Sequence, residues 1–138
     1  MNTFSKIMLV RGILEAYHKV ESELRKFLKP YGISLQQYNV LKILNGAKAP
    51  LSTSVIRERM IQPMTDTSRL VDRMSSKGWV LRVSCSTDKR LVDVTITPEG
   101  EELLNSISST DNVMEKLYKK ITPHEAFTLN QLLNKMRG

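Results

Sequence analysis

The stretch that most constrains the fold runs from Leu51 to Pro98, LSTSVIRERMIQPMTDTSRLVDRMSSKGWVLRVSCSTDKRLVDVTITP. It predicts two short helices, a glycine turn and two strands joined by a charged connector. Ser52 is the N-cap of the first helix, and Leu51 can staple onto Ile56. That helix stops near Ile61, because Pro63 follows. The second lies within Pro63–Lys77, beginning either with Pro63 at the first helical position or with Thr65 as cap. Its inward face is Met64, Thr67, Leu70, Val71 and Met74, and Asp66, Ser68, Arg69, Asp72, Arg73 and Lys77 occupy the outward one. Gly78 ends it. Residues 79–84 and 91–97 then read as strands, the second with Val92, Val94 and Ile96 alternating. The connector between them carries Asp88, Lys89 and Arg90 at its tip.

The flanks are helical. Ile7, Val10, Ile13, Leu14, Tyr17, Val20, Leu24, Phe27 and Leu28 repeat in steps of three and four, which predicts one amphipathic helix over residues 4–29. Pro30 and Gly32 end it. Its apolar stripe is broader than one small unit can cover, so part of it reads as a dimer interface; burial within the monomer is the alternative. Ser34 and Gln37 form a capping box that opens a helix closed by Gly46. Thr97-Pro98-Glu99 starts another, continuing through Leu103, Leu104, Ile107, Val113, Met114 and Leu117 to about Lys120. Thr122 and Glu125 are a second capping box, opening a last helix with Phe127, Leu129, Leu132, Leu133 and Met136.

The fold class expected is therefore mainly α with a small β-hairpin wing, a winged helix-turn-helix. Its 138 residues form one domain, with residues 34–97 as the binding lobe and residues 4–29 and 98–138 as helical dimerisation region.

Charge adds a direction to this architecture. The net charge is +7, a footprint shared by nucleic-acid binders, ribosomal proteins and membrane-surface proteins. Residues 1–50 hold eight basic against three acidic groups, residues 51–90 eight against four, and the last 48 five against seven. The basic surface thus belongs to the first two thirds. A helix fits the DNA major groove, where each base pair presents its own donor and acceptor pattern. Thr65, Asp66, Thr67 and Ser68 are short polar residues at the start of such a helix; Arg69 and Arg73, one turn apart, can take guanine edges or phosphates. A hairpin tip carrying Arg90, with Lys89 beside it, suits the electronegative minor groove. Arg57, Arg59 and Lys77 fit either a solvated face or phosphate contacts.

The run SRLVDRMSSKGWVLRVSCSTDKRLVDVTITPEG resembles the signature of the MarR-type (multiple antibiotic resistance regulator) transcription factors. The matching pieces are residues 69–73 (RLVDR), 77–80 (KGWV), 88–90 (DKR) and 97–100 (TPEG), and the helix order also matches, so the resemblance covers nearly the whole chain. It implies a symmetric homodimer on a palindromic double-stranded DNA operator, with the first and last helices as dimer base. It also implies release by a small, aromatic or phenolic effector or by oxidation. Carried over, Arg90 matches the wing-tip arginine of the minor groove, and Asp88 the acidic residue that braces the wing, against an arginine such as Arg82. Thr65 to Arg69 match the base-reading segment and Arg73 a second contact. Asp66 puts a carboxylate at the reading end, where it can accept from a cytosine amino group or cap the helix.

Other chemistries find little to stand on. The sequence has no G-x-S-x-G, no phosphate-cradling glycine loop and no histidine spaced with a nucleophile and a carboxylate. An enzyme is not expected, nor is any cofactor. His18 and His124 are the only histidines and lack the cysteine pair a zinc site would need. Arg11, Tyr17 and His18 on the first helix are candidates to line an effector pocket. The lone Cys85 is a passive thiol or a redox switch, and its solitude fits a reducing cytoplasm. No apolar run reaches the length of a membrane span, and the N-terminus does not read as a signal peptide. Two further readings of the fold remain, a winged-helix module for protein contact and a nonspecific nucleic-acid-binding protein.

Overall fold

The structure is a computed structural model that describes residues 1–63, 65–84, 92–107, 115 and 119–138. Its elements are α1 (Thr3–Leu28), α2 (Leu35–Ala47), β1 (Leu51–Ser52), α3 (Thr53–Arg59), α4 (Thr67–Ser76), β2 (Val80–Ser84), β3 (Val92–Ile96), α5 (Pro98–Ser106) and α6 (Pro123–Arg137). A 3₁₀ turn over Lys29–Tyr31 follows α1 and closes on Gly32, whose φ of 67° is left-handed. Residues Arg25–Ser108 make one compact unit; Met1–Leu24 and Ser109–Gly138 make another.

The core of the Arg25–Ser108 unit is built from one face of each element. Leu41 and Leu44 of α2, Ile56 of α3, Leu70, Val71 and Met74 of α4, Val80 of β2 and Val94 of β3 are buried together with Leu28 and Ile107. α4 packs against α3 and β2, while α2 packs against α3, α5 and β3. Local signals account for the helix starts. Ser34 Oγ accepts the Gln37 amide and the Gln37 side chain accepts the Ser34 amide, a complete capping box. Ser52 Oγ accepts the Val55 amide, and Thr97 Oγ1 accepts the Gly100 amide.

Four details differ from the sequence reading. The sheet has three antiparallel strands in the order β1-β3-β2, because Leu51 and Ser52 pair with Val94 and Asp93 rather than merely opening α3. Two residues carry too little alternation to read as a strand; β3 supplies the partner that makes them one. α2 runs past Gly46 to Ala47, and Lys48 takes the left-handed turn with φ 52°. α4 begins at Thr67, later than either expected start, with Asp66 at the N-cap position. α5 ends at Ser106 with Ile107 as C-cap, and the expected continuation through Val113, Met114 and Leu117 lies outside the described residues.

In the second unit, α6 opens with the expected capping box of Thr122 and Glu125. α1 and α6 leave rows of large apolar side chains in solvent: Phe4, Ile7, Val10 and Leu14 on the first, Phe127, Leu132 and Met136 on the second. No described helix is long and apolar enough to cross a membrane.

Among the described glycines, only Gly100 has neighbours that a side chain would meet. A Cβ there would stand 2.2 Å from the Trp79 carbonyl oxygen, so the first turn of α5 lies directly on the chain entering β2. Gly100→Ala is expected to lower unfolding free energy by about 1–3 kcal/mol, as overpacking against backbone does, measured by urea denaturation. Ser34→Ala, which removes one cap, should cost about 1 kcal/mol.

Candidate nucleic-acid interface

α4 is two-faced by construction. Thr67, Leu70, Val71 and Met74 point into the core, and the remaining positions carry Ser68, Arg69, Asp72, Arg73 and Ser76 outward or at the rim. A helix whose apolar stripe is fully used in packing presents its polar face at a set angle, and this one presents two guanidinium groups one turn apart.

The geometry at its N-terminus is open. Thr65 and Asp66 are exposed, and Asp66 makes no side-chain cap hydrogen bond. Its carboxylate lies 3.4 Å from Arg69 Nε, in an exposed i,i+3 pair. Such a pair contributes little stability in water and dissolves readily when a stronger anion arrives. Arg73 is exposed and has no ion pair among the described residues. Thr65, Asp66, Ser68 and the two arginines are therefore all exposed at one end and side of α4. That combination suits a polyanion whose edges also offer hydrogen-bond partners.

Arg82 reaches this helix from the sheet. Side chains two apart on a strand share a face; Val80 enters the core, and Arg82, one pleat along, leans over α4. Its Nη2 donates to the Asp72 carboxylate at 2.8 Å, to the Ser68 carbonyl at 3.1 Å and to Ser68 Oγ at 3.3 Å. Arg82 thereby ties the strand that leads to the connector to the polar face of α4. Its Nε is buried without a hydrogen-bond partner among the described residues. The family resemblance implies Asp88 braced against an arginine such as Arg82. Asp88, Lys89, Arg90 and Cys85 lie outside the described residues, and the clasp to Asp72 and Ser68 was missed. The spacing of Arg82 two residues after an apolar strand position was the signal that pointed to it.

The remaining basic candidates divide. Arg57 and Arg59 are exposed in the last turn of α3. Lys77 is committed elsewhere: its Nζ donates to the Gly32 carbonyl at 3.2 Å and stands 4.6 Å from the centre of the Trp79 ring. The effector candidates are not gathered into one cavity. Arg11 is paired with Glu15 at 2.7 Å on the exposed face of α1, and Tyr17 and His18 are exposed on the same helix. A shallow groove of about 450 Å³ along α1 is lined by Lys6, Ile7, Val10, Arg11, Leu14 and Glu15, without Tyr17 or His18. Among the described residues no three potential metal ligands cluster.

Comparison with known proteins agrees with this arrangement. Residues 31–91 match the MarR family. The regulator PecS of Dickeya dadantii is 33% identical over 104 residues, covering 72% of this chain and 62% of PecS, so the chain spans less than two thirds of that relative. A mutant MarR from Escherichia coli, solved in complex with operator DNA, superposes with a TM-score of 0.87 at 29% identity, covering 99% of each chain. Another crystal structure of the same Escherichia coli MarR mutant superposes with a TM-score of 0.74 at 30% identity, over 94% of this chain and 96% of that one. On these similarities in sequence and fold, the chain belongs to the MarR family of transcriptional regulators.

Proposed function

We propose that this protein is a homodimeric, sequence-specific regulator of transcription that binds a palindromic double-stranded DNA operator in the cytoplasm, acting as a repressor released by a small aromatic or phenolic molecule. It works by binding and not by catalysis. The observation that carries the reading is α4: its apolar face is spent in the core, and its free face offers Ser68, Arg69 and Arg73 beside an open N-terminus. In this reading Thr65 to Arg69 read base edges in the major groove, and Arg73 takes a second contact. Arg90, with Lys89, enters the minor groove from the wing, as the family resemblance implies. Similarity to a MarR solved on operator DNA supports the partner class.

Dimerisation is part of the same proposal. Phe4 is 71% exposed, Ile7 60% and Leu14 61% on α1, and Phe127 is 60% exposed on α6. Exposed apolar rows of this size mark an interaction surface, and a second copy supplies an identical one. Two recognition helices held about 34–36 Å apart fit successive major grooves of a palindrome. Release then needs only a change in that spacing, which an effector bound at the helical base can produce; Arg11, Tyr17 and His18 remain its proposed contacts.

The primary test is titration of purified protein against a duplex enriched by it from a random-sequence pool, and against a scrambled duplex. Binding is expected to be tighter to the first by about 10³-fold or more. Equal, salt-sensitive binding to both would contradict sequence-specific regulation and favour nonspecific nucleic-acid binding; no binding to either would favour a protein-contact module. Arg69→Ala and Arg73→Ala should each cost about 1–3 kcal/mol where the arginine holds a guanine edge, or reduce the salt slope by about 0.9 where it holds a phosphate. Arg90→Ala should weaken binding while size-exclusion chromatography still reports a dimer. Leu14→Glu, a charge placed in the apolar row of α1, should shift the protein toward monomer and lower operator affinity at dilute concentration.

A further inference from the structure

The C-terminal end of α4 is knotted to three other parts of the Arg25–Ser108 unit. Gly78, left-handed at φ 78°, turns the chain out of the helix. Its carbonyl accepts the Thr97 hydroxyl, and the Trp79 carbonyl accepts the Thr97 amide at 3.1 Å. The Trp79 amide donates back to the Met74 carbonyl at 3.1 Å. Over this knot lies Lys77, whose ammonium holds the Gly32 carbonyl and faces the Trp79 ring. Gly32 is itself fixed, since its amide donates to the Lys29 carbonyl at 3.0 Å in the turn that follows α1. One cation therefore joins the turn after α1, the end of the recognition helix and the only tryptophan of the chain.

We infer that Lys77 is a positioning residue for DNA recognition, setting the tilt of α4 by clasping its end to Gly32 and Trp79, and is not a phosphate contact. The inference rests on the function proposed above. A ten-residue helix is about 15 Å long, so a pivot of about 10° at its C-terminal end carries its N-terminal residues through roughly 2.6 Å. Base-reading side chains tolerate far less than that, about 0.5 Å. Asp66 at the N-cap of α4 makes no side-chain cap hydrogen bond, and the clasps by Lys77 at one end and by Arg82 along the outer face both bear on the angle.

The test uses wild type, Lys77→Met and Lys77→Arg, with the duplex enriched from a random pool by wild type and its scrambled counterpart. Methionine keeps the stem over the indole and removes the charge; arginine keeps donors and the cation–π contact. Lys77→Met is expected to bind the enriched duplex roughly three- to tenfold more weakly, within what one exposed cation–π contact and one charged hydrogen bond can supply. Its salt slope should equal that of wild type, and Lys77→Arg should restore affinity. Trp79 emission of the DNA-free protein should change in Lys77→Met and return in Lys77→Arg. A slope lowered by about 0.9 would make Lys77 a phosphate contact and overturn the inference. Unchanged affinity would overturn it too, as would a loss explained by an unfolded fraction in circular dichroism. Wild type that does not discriminate between the duplexes overturns the proposed function together with this inference. Discrimination by wild type with Lys77→Met indistinguishable from it overturns the inference alone.

Discussion

Burial of Leu70, Val71 and Met74 against α3 and β2 is the interaction on which the rest depends. Each of these side chains is 5% exposed or less, so α4 cannot rotate about its axis without opening the core. Rotation is thus set by packing, whose loss costs about 2–5 kcal/mol per large residue truncated to alanine. Tilt is a softer coordinate, and the structure assigns it to polar contacts at the surface, through Arg82 from the sheet and Lys77 at the helix end. The division is physically sensible. Apolar contacts fix which residues face outward; directional, weaker contacts adjust the angle at which they face.

That division also shapes how the binding face behaves before it meets DNA. Arg69 is only loosely occupied by Asp66, and Arg73 has no ionic partner among the described residues. Both side chains are long and solvated, so in the proposed function binding must order them, and the favourable term would come from phosphate charge and base-edge hydrogen bonds. Asp72 differs. Although it lies on the same outer face, its carboxylate is engaged by Arg82 at 2.8 Å. A negative charge on the face proposed to meet DNA is thereby partly neutralised from within, and anchors the sheet to α4.

Much of this was legible in the sequence where one residue type answers one geometric need. The boxes at Ser34–Gln37 and Thr122–Glu125, the Thr97 cap before Pro98 and the glycine stop at Gly78 all stand where the residues put them. Thr67, Leu70, Val71 and Met74 of the inward set followed from helical spacing alone, and Met64, expected with them, lies outside the described residues. What escaped depends on partners distant in the chain. Leu51–Ser52 is a strand only because β3 lies beside it. Asp66 sits at the N-cap with its carboxylate turned to Arg69, a choice that local pattern leaves open. The clasp of Arg82 spans ten residues to Asp72, and that of Lys77 spans 45 to Gly32. Periodicity does not encode such contacts. Exposed lysines in particular look alike in sequence whether they serve solvent, phosphate or a carbonyl.

Dimethyl sulfate protection of guanine N7, on a duplex selected by the protein, reports directly whether α4 occupies the major groove, since N7 lies there. Two protected patches centred about one helical turn apart, roughly 34–36 Å, are expected if two α4 helices read successive major grooves. Protection should fade from both patches together when Arg69 is replaced by alanine. A duplex bound tightly with every guanine N7 still reactive would contradict the account, because the protein would then be holding DNA without the face of α4 on which the account rests.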